Sequence, residues 1–356
     1  MNRRFLSGAF TGALCVGLVL ALGAVIGTAR GQATQTTEDE IHRGARAQQF
    51  PLAAPAGVDS NAINQAPPGA INQGPLDPST WKYGQAFDAP SNAKIWNPVM
   101  IKLMKGEKVV GGTFFYSDDP ESYCAMANSG YYDFIWTEMQ HSPRDWEKLG
   151  RLWAACPHAK AVPGVRVAYT DEREEQHAMD MGALVLVVPT VRSVQEGIEA
   201  RNWAMFPPLG GRSLGGGQAF SPEFWGKVPG GYRNTINQNV VLIEMIETLE
   251  GAKDAKKIAA IPGVTAIFAA SGDLGNFSGY KQGDPDYERL INVVHDAAID
   301  AHKRLCGPIS WVNRPDFTCF QAGSETAVIG NGAAVGLEQF KDKQGKPEVG
   351  PYAEKK

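Results

Sequence analysis

The chain lacks a basic stripe, and its formal net charge is −4, so it carries no electrostatic footprint for nucleic acid. Cysteine is scarce, with five in 356 residues, and the spacings match no metal-binding motif. With Cys15 inside an N-terminal leader, Cys124, Cys156, Cys306 and Cys319 remain. They can pair in an oxidising compartment, but scattered over one large domain they are expected as small buried hydrophobes, with no essential disulfide. A phosphate-cradling loop is missing too. The Gly-rich run Phe206-Pro207-Pro208-Leu209-Gly210-Gly211-Arg212-Ser213-Leu214-Gly215-Gly216-Gly217 has no Lys-Ser/Thr ending, which excludes a P-loop.

What is present is enough apolar residue, 43% against 20% charged, to fill a core. The length suits one large domain, and α/β barrels need about 250 residues. Residues 1–33 read as an export segment. Met1-Asn2-Arg3-Arg4 is basic, Phe5 to Ile26 is apolar or small, and Ala29-Arg30-Gly31 and Gly31-Gln32-Ala33 both fit a cleavage site. The expected location is periplasmic or secreted; the apolar stretch is long for a signal peptide, so an uncleaved membrane anchor is the alternative. Residues 34–97 are rich in Gln, Ala, Pro and Asn without hydrophobic periodicity and read as a disordered linker. Trp81, Tyr83 and Phe87 are placed to pin its end to the domain. A polar tail is expected over 346–356.

Between them, residues 98–345 alternate strand and helix signals. Strands are expected at Val109–Tyr116, Asp133–Glu138, Lys160–Val167, Ala183–Pro189, Val241–Thr248, Ile267–Leu274, Arg304–Trp311 and Thr326–Gly330. Helices are expected at Pro120–Ser129, Arg144–Ala155, Glu172–Met181 and Ser193–Asn202. Apolar runs buried on both faces and alternating with helices make a parallel sheet, and eight such units predict a closed (β/α)8 barrel. The stretch Phe206 to Tyr232 is an insertion before strand five.

Barrel geometry selects residues at the C-terminal ends of strands. Glu138, Gln140 and His141 follow strand two, Arg166 ends strand three, Pro189 and Thr190 close strand four, Glu247 ends strand five and Asp273 follows strand six. Two convergent carboxylates suit a divalent metal with open positions, Arg166 can hold a carboxylate, and His141 can move a proton. Each has a plainer reading. The two acids can cap the helices that follow them, His141-Ser142-Pro143 can be a turn, and Arg166 can be an ion-pair partner of Glu138. Arg212 can pair an anion, or its loop can pack between subunits. Ser271-Gly272 offers N–H groups to a substrate carboxylate.

From about Lys102 to Phe340 these residues resemble the HpcH/HpaI aldolase/citrate lyase family, in its metal-dependent class II pyruvate aldolase branch. Six motifs occur in order: Glu138-Met139-Gln140-His141-Ser142-Pro143, Val165-Arg166, Asp180-Met181-Gly182-Ala183 with Val188-Pro189, Phe206-Pro207-Pro208-Leu209-Gly210-Gly211-Arg212, Ile246-Glu247-Thr248, and Ala270-Ser271-Gly272-Asp273-Leu274. The resemblance implies a TIM barrel of the phosphoenolpyruvate/pyruvate-binding type. It implies Mg²⁺, Mn²⁺ or Co²⁺ on Glu247 and Asp273, enolate stabilisation by Arg166, and acid/base chemistry at His141. Substrates would be a 2-oxoacid and an aldehyde, with Arg166, Arg212, Ser271 and Gly272 binding. Asp180 is a catalytic position of the family, yet lies near the end of its helix that faces away from the mouth. It is therefore either structural or part of a neighbouring subunit's site in a homo-oligomer, dimeric or hexameric.

Four positions depart from the family pattern: Gln140 replaces an acid, Met245 a Gln, and Ala270-Ser271 a Gly-Pro. The expected function is cleavage or formation of 4-hydroxy-2-oxoacids through a pyruvate enolate. The alternatives are a lyase acting on a CoA thioester, or an exported barrel with altered catalysis that binds small carboxylates.

Overall fold

The computed structural model describes residues 94–207, 209–214, 225, 227–269 and 271–337. The export segment, most of the linker with Trp81, Tyr83 and Phe87, the end of the Gly-rich run and the polar tail lie outside the described residues. Eight parallel strands close into a barrel in the order β1 to β8. They are β1 (Val109–Phe114), β2 (Phe134–Glu138), β3 (Val162–Arg166), β4 (Val185–Val188), β5 (Val241–Ile246), β6 (Ala266–Ala269), β7 (Arg304–Pro308) and β8 (Phe317–Ser324). Helices alternate with them: α1 (Pro98–Met104), α2 (Pro120–Asn128), α3 (Trp146–Ala154), α4 (Glu172–Met181), α5 (Val194–Ala204), α6 (Tyr232–Asn239), α7 (Leu249–Ala259), α8 (Gly272–Ser278), α9 (Pro285–Asp300) and α10 (Glu325–Leu337).

The local chemistry sets these boundaries. Strands β2 to β6 are buried along their whole length, as β-branched and apolar runs between a filled interior and a helical coat must be. Asp119, Asp145, Asp171, Ser193 and Thr248 each accept a backbone N–H of the first turn of α2, α3, α4, α5 and α7, satisfying donors that the helix itself leaves open. Gly182 ends α4 in the left-handed conformation at φ 108°, which a Cβ would oppose. Inside the barrel, Trp136 meets the Phe268 ring edge-on at 5.6 Å. Gly111 makes room for Phe134, whose ring would lie 2.3 Å from any Cβ added there.

Several expectations are corrected. Strand eight is Phe317–Ser324, and Thr326–Gly330 belongs to α10; Ala327-Val328-Ile329 is apolar enough for either state, whereas Phe317-Thr318-Cys319-Phe320 continues the ladder beside β7. Just before residue 98, Trp96 and Asn97 donate their N–H groups to Asn239 of α6 at 2.7 and 2.9 Å. Helix α6 fills the interval between the expected insertion, Phe206 to Tyr232, and strand five, for which no element was expected.

Cys124 and Cys156 form a disulfide, with Cα atoms 5.7 Å apart. Cys124 sits on α2 and Cys156 just past α3, so the side-by-side packing of consecutive outer helices brings together residues whose spacing says nothing. Cys306 and Cys319 are free and buried, as expected. Reduction, or Cys124→Ser, is expected to lower stability by about 2–4 kcal/mol through the freed unfolded chain. Denaturant midpoints measured with and without reductant check this; coincident curves would contradict it.

Candidate active site

Parallel strands place their C-terminal ends at one mouth, and the register there puts Glu138 beside Arg166. Glu138 is fully buried. Its Oε1 accepts the N–H groups of Gln140 and His141 at 2.7 and 3.1 Å, and its Oε2 accepts Arg166 Nε and Nη2 at 2.7 and 2.6 Å. The ion-pair reading of Arg166 is thus realised. The pairing locks the planar fork of the guanidinium and occupies one edge of it. On the other side, among the described residues, Nη1 reaches only the Met245 Sδ at 3.9 Å, a weak acceptor, and so keeps donor capacity for an incoming oxyanion.

Glu247 follows β5 and is 1% exposed. Its Oε1 accepts both the N–H and the hydroxyl of Thr190, at 2.6 and 2.9 Å. Among the described residues Oε2 accepts no hydrogen bond. Burial pushes the carboxyl pKa up; the Thr190 hydroxyl opposes this, the charge of Asp273 raises it further, and the Thr190 N–H and Arg166 lower it. The helix-cap reading does not hold for Glu247, because Thr248 caps α7.

A buried carboxylate raised further by a second one's charge is a site that a cation relieves. Among the described residues no cluster of three His, Cys, Asp or Glu side chains is arranged for a metal. Two carboxylates fit a hard divalent cation that draws its remaining ligands from water and substrate, as Mg²⁺ sites do, and do not fit an all-protein cage.

Asp273 is half-buried on the first turn of α8. Ser271 precedes that helix and its carbonyl accepts the Tyr287 hydroxyl at 2.9 Å. Gly272 is exposed, and a Cβ there would meet nothing within 4 Å. His141, in the loop after β2, is exposed, and that loop is also a built turn: the Ser142 hydroxyl donates to the Glu138 carbonyl at 2.7 Å.

Two supporting residues escape a sequence reading. Arg144 donates to the carbonyls of Phe114, Phe115, Ser117 and Glu138. Glu325, buried at the start of α10, accepts the N–H groups of Phe115, Tyr116 and Ser117. Together they clamp the loop after β1 on both its carbonyls and its amides. The only signal for either was a charged residue at the head of a helix.

Arg212 and Asp180 do not join the mouth of their own chain. Arg212 Nη2 pairs with Asp180 Oδ1 at 2.5 Å, Nη1 donates to the Tyr232 hydroxyl at 3.3 Å, and the guanidinium lies 4.4 Å from the Phe206 ring centre. The pair sits at the end of α4 that leads into the start of β4, the opposite end of the barrel. Arg212, expected to take a substrate anion, is committed to Asp180 instead, because the segment after α5 folds back against α4.

Comparison with known proteins agrees with this geometry. The model of the HpcH/HpaI aldolase/citrate lyase family matches residues 112–305, more than half the chain. The chain is 28% identical over 197 residues to 2-dehydro-3,6-dideoxy-6-sulfogluconate aldolase of Pseudomonas putida, covering 55% of this chain and 75% of the relative. It is 31% identical over 217 residues to a hydroxypyruvate/pyruvate aldolase of Delftia acidovorans, covering 59% and 77%. The crystal structure of an HpcH/HpaI aldolase from Desulfitobacterium hafniense shares the fold, with a TM-score of 0.60 at 22% identity over 69% of this chain and 98% of that one. The chain belongs to the HpcH/HpaI aldolase/citrate lyase family.

Proposed function

We propose that the protein is a metal-dependent carbon–carbon lyase that cleaves or forms 4-hydroxy-2-oxoacids through a pyruvate enolate. The observation that carries this reading is the Glu247 and Asp273 carboxylate pair beside an Arg166 with a free donor edge. A divalent cation held by Glu247 and Asp273 would supply Lewis-acid polarisation of the 2-oxoacid. Arg166, whose charge reaches Glu247, stabilises negative charge as it develops, with its fork already fixed by Glu138 so that little reorganisation is needed. His141, exposed at the rim, takes the proton of the C4 hydroxyl in cleavage and returns it in condensation. Ser271 and Gly272 bring backbone N–H groups toward the substrate carboxylate.

Export is retained as part of the proposal, and a half-buried disulfide is what an oxidising compartment favours. With Asp180 engaged by Arg212 in its own chain, a role for it in a neighbouring subunit's site requires that pair to be remade.

The test is pyruvate release from candidate 4-hydroxy-2-oxoacids with Mg²⁺ or Mn²⁺, with and without EDTA. Metal-dependent release supports the reading; release that EDTA leaves unchanged would overturn it. Gly272→Ala adds a methyl into open space, so its thermal midpoint should match the wild type while KM for the oxoacid rises several-fold. A KM unchanged in that variant would remove Gly272 from the substrate side.

A second reading, a barrel that binds small carboxylates without turnover, is favoured by Gln140. Its neutral amide occupies the family's acid position, and its Oε1 is buried without a partner among the described residues. That reading predicts oxoacid and metal binding with no chemistry.

A further inference from the structure

We infer that Thr190 is the positioning residue that presents the Glu247 carboxylate to the metal, an assignment that rests on the lyase reading. Thr190 follows Pro189 at the end of β4 and has φ 53°. A β-branched residue in the left-handed region is a genuine outlier, since its Cβ crowds the backbone. Such conformations persist only where surrounding structure imposes them, and they gather at functional sites.

What the conformation achieves is visible in the hydrogen bonds. The Thr190 N–H and Oγ1 both donate to one oxygen, Oε1 of Glu247, at 2.6 and 2.9 Å. Two donors on a single oxygen fix the carboxylate plane and leave Oε2 as the oxygen to offer a cation. The next residue anchors the turn: Val191 N–H donates to the Met245 carbonyl at 3.0 Å, so the end of β4 is tied to β5 on both sides of the strained residue. The hydroxyl is also approached by Gln140 Nε2 at 3.5 Å, which brings the loop after β2 to the same point. Threonine is therefore specifically useful here. Glycine would adopt the backbone without strain but supplies one donor, whereas threonine supplies two.

Groups that orient a metal ligand are typically worth about 10- to 100-fold in metal affinity. The experiment measures Mn²⁺ affinity of the purified, metal-stripped protein by electron paramagnetic resonance, beside its metal-free thermal midpoint and its kcat and KM. Thr190→Val keeps the shape and the N–H but loses the hydroxyl. It is expected to weaken Mn²⁺ binding about tenfold, with a metal-free midpoint near that of the wild type. Thr190→Ser should restore Mn²⁺ affinity to within about threefold, and Thr190→Gly should bind Mn²⁺ no better than the valine variant although its backbone is relaxed.

Wild-type Mn²⁺ affinity in Thr190→Val, or in Thr190→Gly, would overturn the assignment while leaving the lyase reading in place. Should the valine variant fail to fold, the contrast between serine and glycine decides. Absence of Mn²⁺ binding in the wild-type protein would overturn both.

Discussion

Glu247→Gln should reduce metal-dependent pyruvate release by about a thousandfold, because it removes a charge from a two-carboxylate site while leaving the architecture standing. The amide oxygen still accepts the Thr190 donors that now hold Oε1, so the loss belongs to the metal and not to the fold. Stability provides an independent readout. The Glu247 carboxyl has a raised pKa, first through burial, with Asp273 adding to it. A carboxyl raised on folding favours the folded state when protonated, so in the metal-free protein its contribution declines as pH climbs from the unfolded pKa through the folded one. The glutamine variant has no such group. Metal-free wild type should therefore lose stability relative to Glu247→Gln as pH rises above the ordinary carboxyl range, and saturating Mg²⁺ should reverse the order by binding the native wild type alone. Thermal melts across that range, with and without Mg²⁺, check both signs. A variant that turns over like the wild type, or melts in parallel with it at every pH, would contradict the assignment.

The second large effect is at the Glu138–Arg166 pair. Arg166→Met should lower kcat by about 10²- to 10³-fold, as loss of one donor to a developing oxyanion does. It should also cost about 3–5 kcal/mol of stability, since it leaves Glu138 buried with only the Gln140 and His141 amides for partners. The two losses have different causes and can be separated. Combining Arg166→Met with Glu138→Gln removes the unpaired charge, so it should return much of the stability and none of the activity. Denaturant unfolding and steady-state kinetics on the single and double variants make this comparison. Recovery of activity in the double variant would mean that Arg166 acts only through the fold.

Much of this arrangement was legible in the residues, for physical reasons that can be named. Glu138 and Arg166 at strand ends, and Glu247 and Asp273 just beyond theirs, lie toward one mouth because parallel strands share one polarity, so burial patterns that locate the strands also locate the mouth. Helix α4 has the end residues expected of it, and Asp171 caps it while Gly182 stops it. Other features depend on tertiary packing that local sequence does not encode. The Cys124–Cys156 bridge depends on how two outer helices lie side by side. The Arg212–Asp180 pair depends on the path of the chain after α5. Thr190 is the least legible, since a β-branched residue after proline signals extended backbone and here adopts φ 53°. The missed strand β8 has a simpler cause: two apolar runs lie close together, and periodicity does not decide which one enters the sheet.

The central claim is that this mouth forms an enolate from pyruvate. It is tested most directly by exchange of pyruvate C3 protons for deuterium, followed by proton NMR in deuterated buffer. The measurement needs no knowledge of the aldehyde partner. Exchange well above the buffer rate with Mg²⁺, abolished by EDTA and by Glu247→Gln, is the result the account predicts. Mg²⁺ and pyruvate bound at the site with exchange no faster than buffer alone would contradict it and leave a carboxylate-binding barrel in its place.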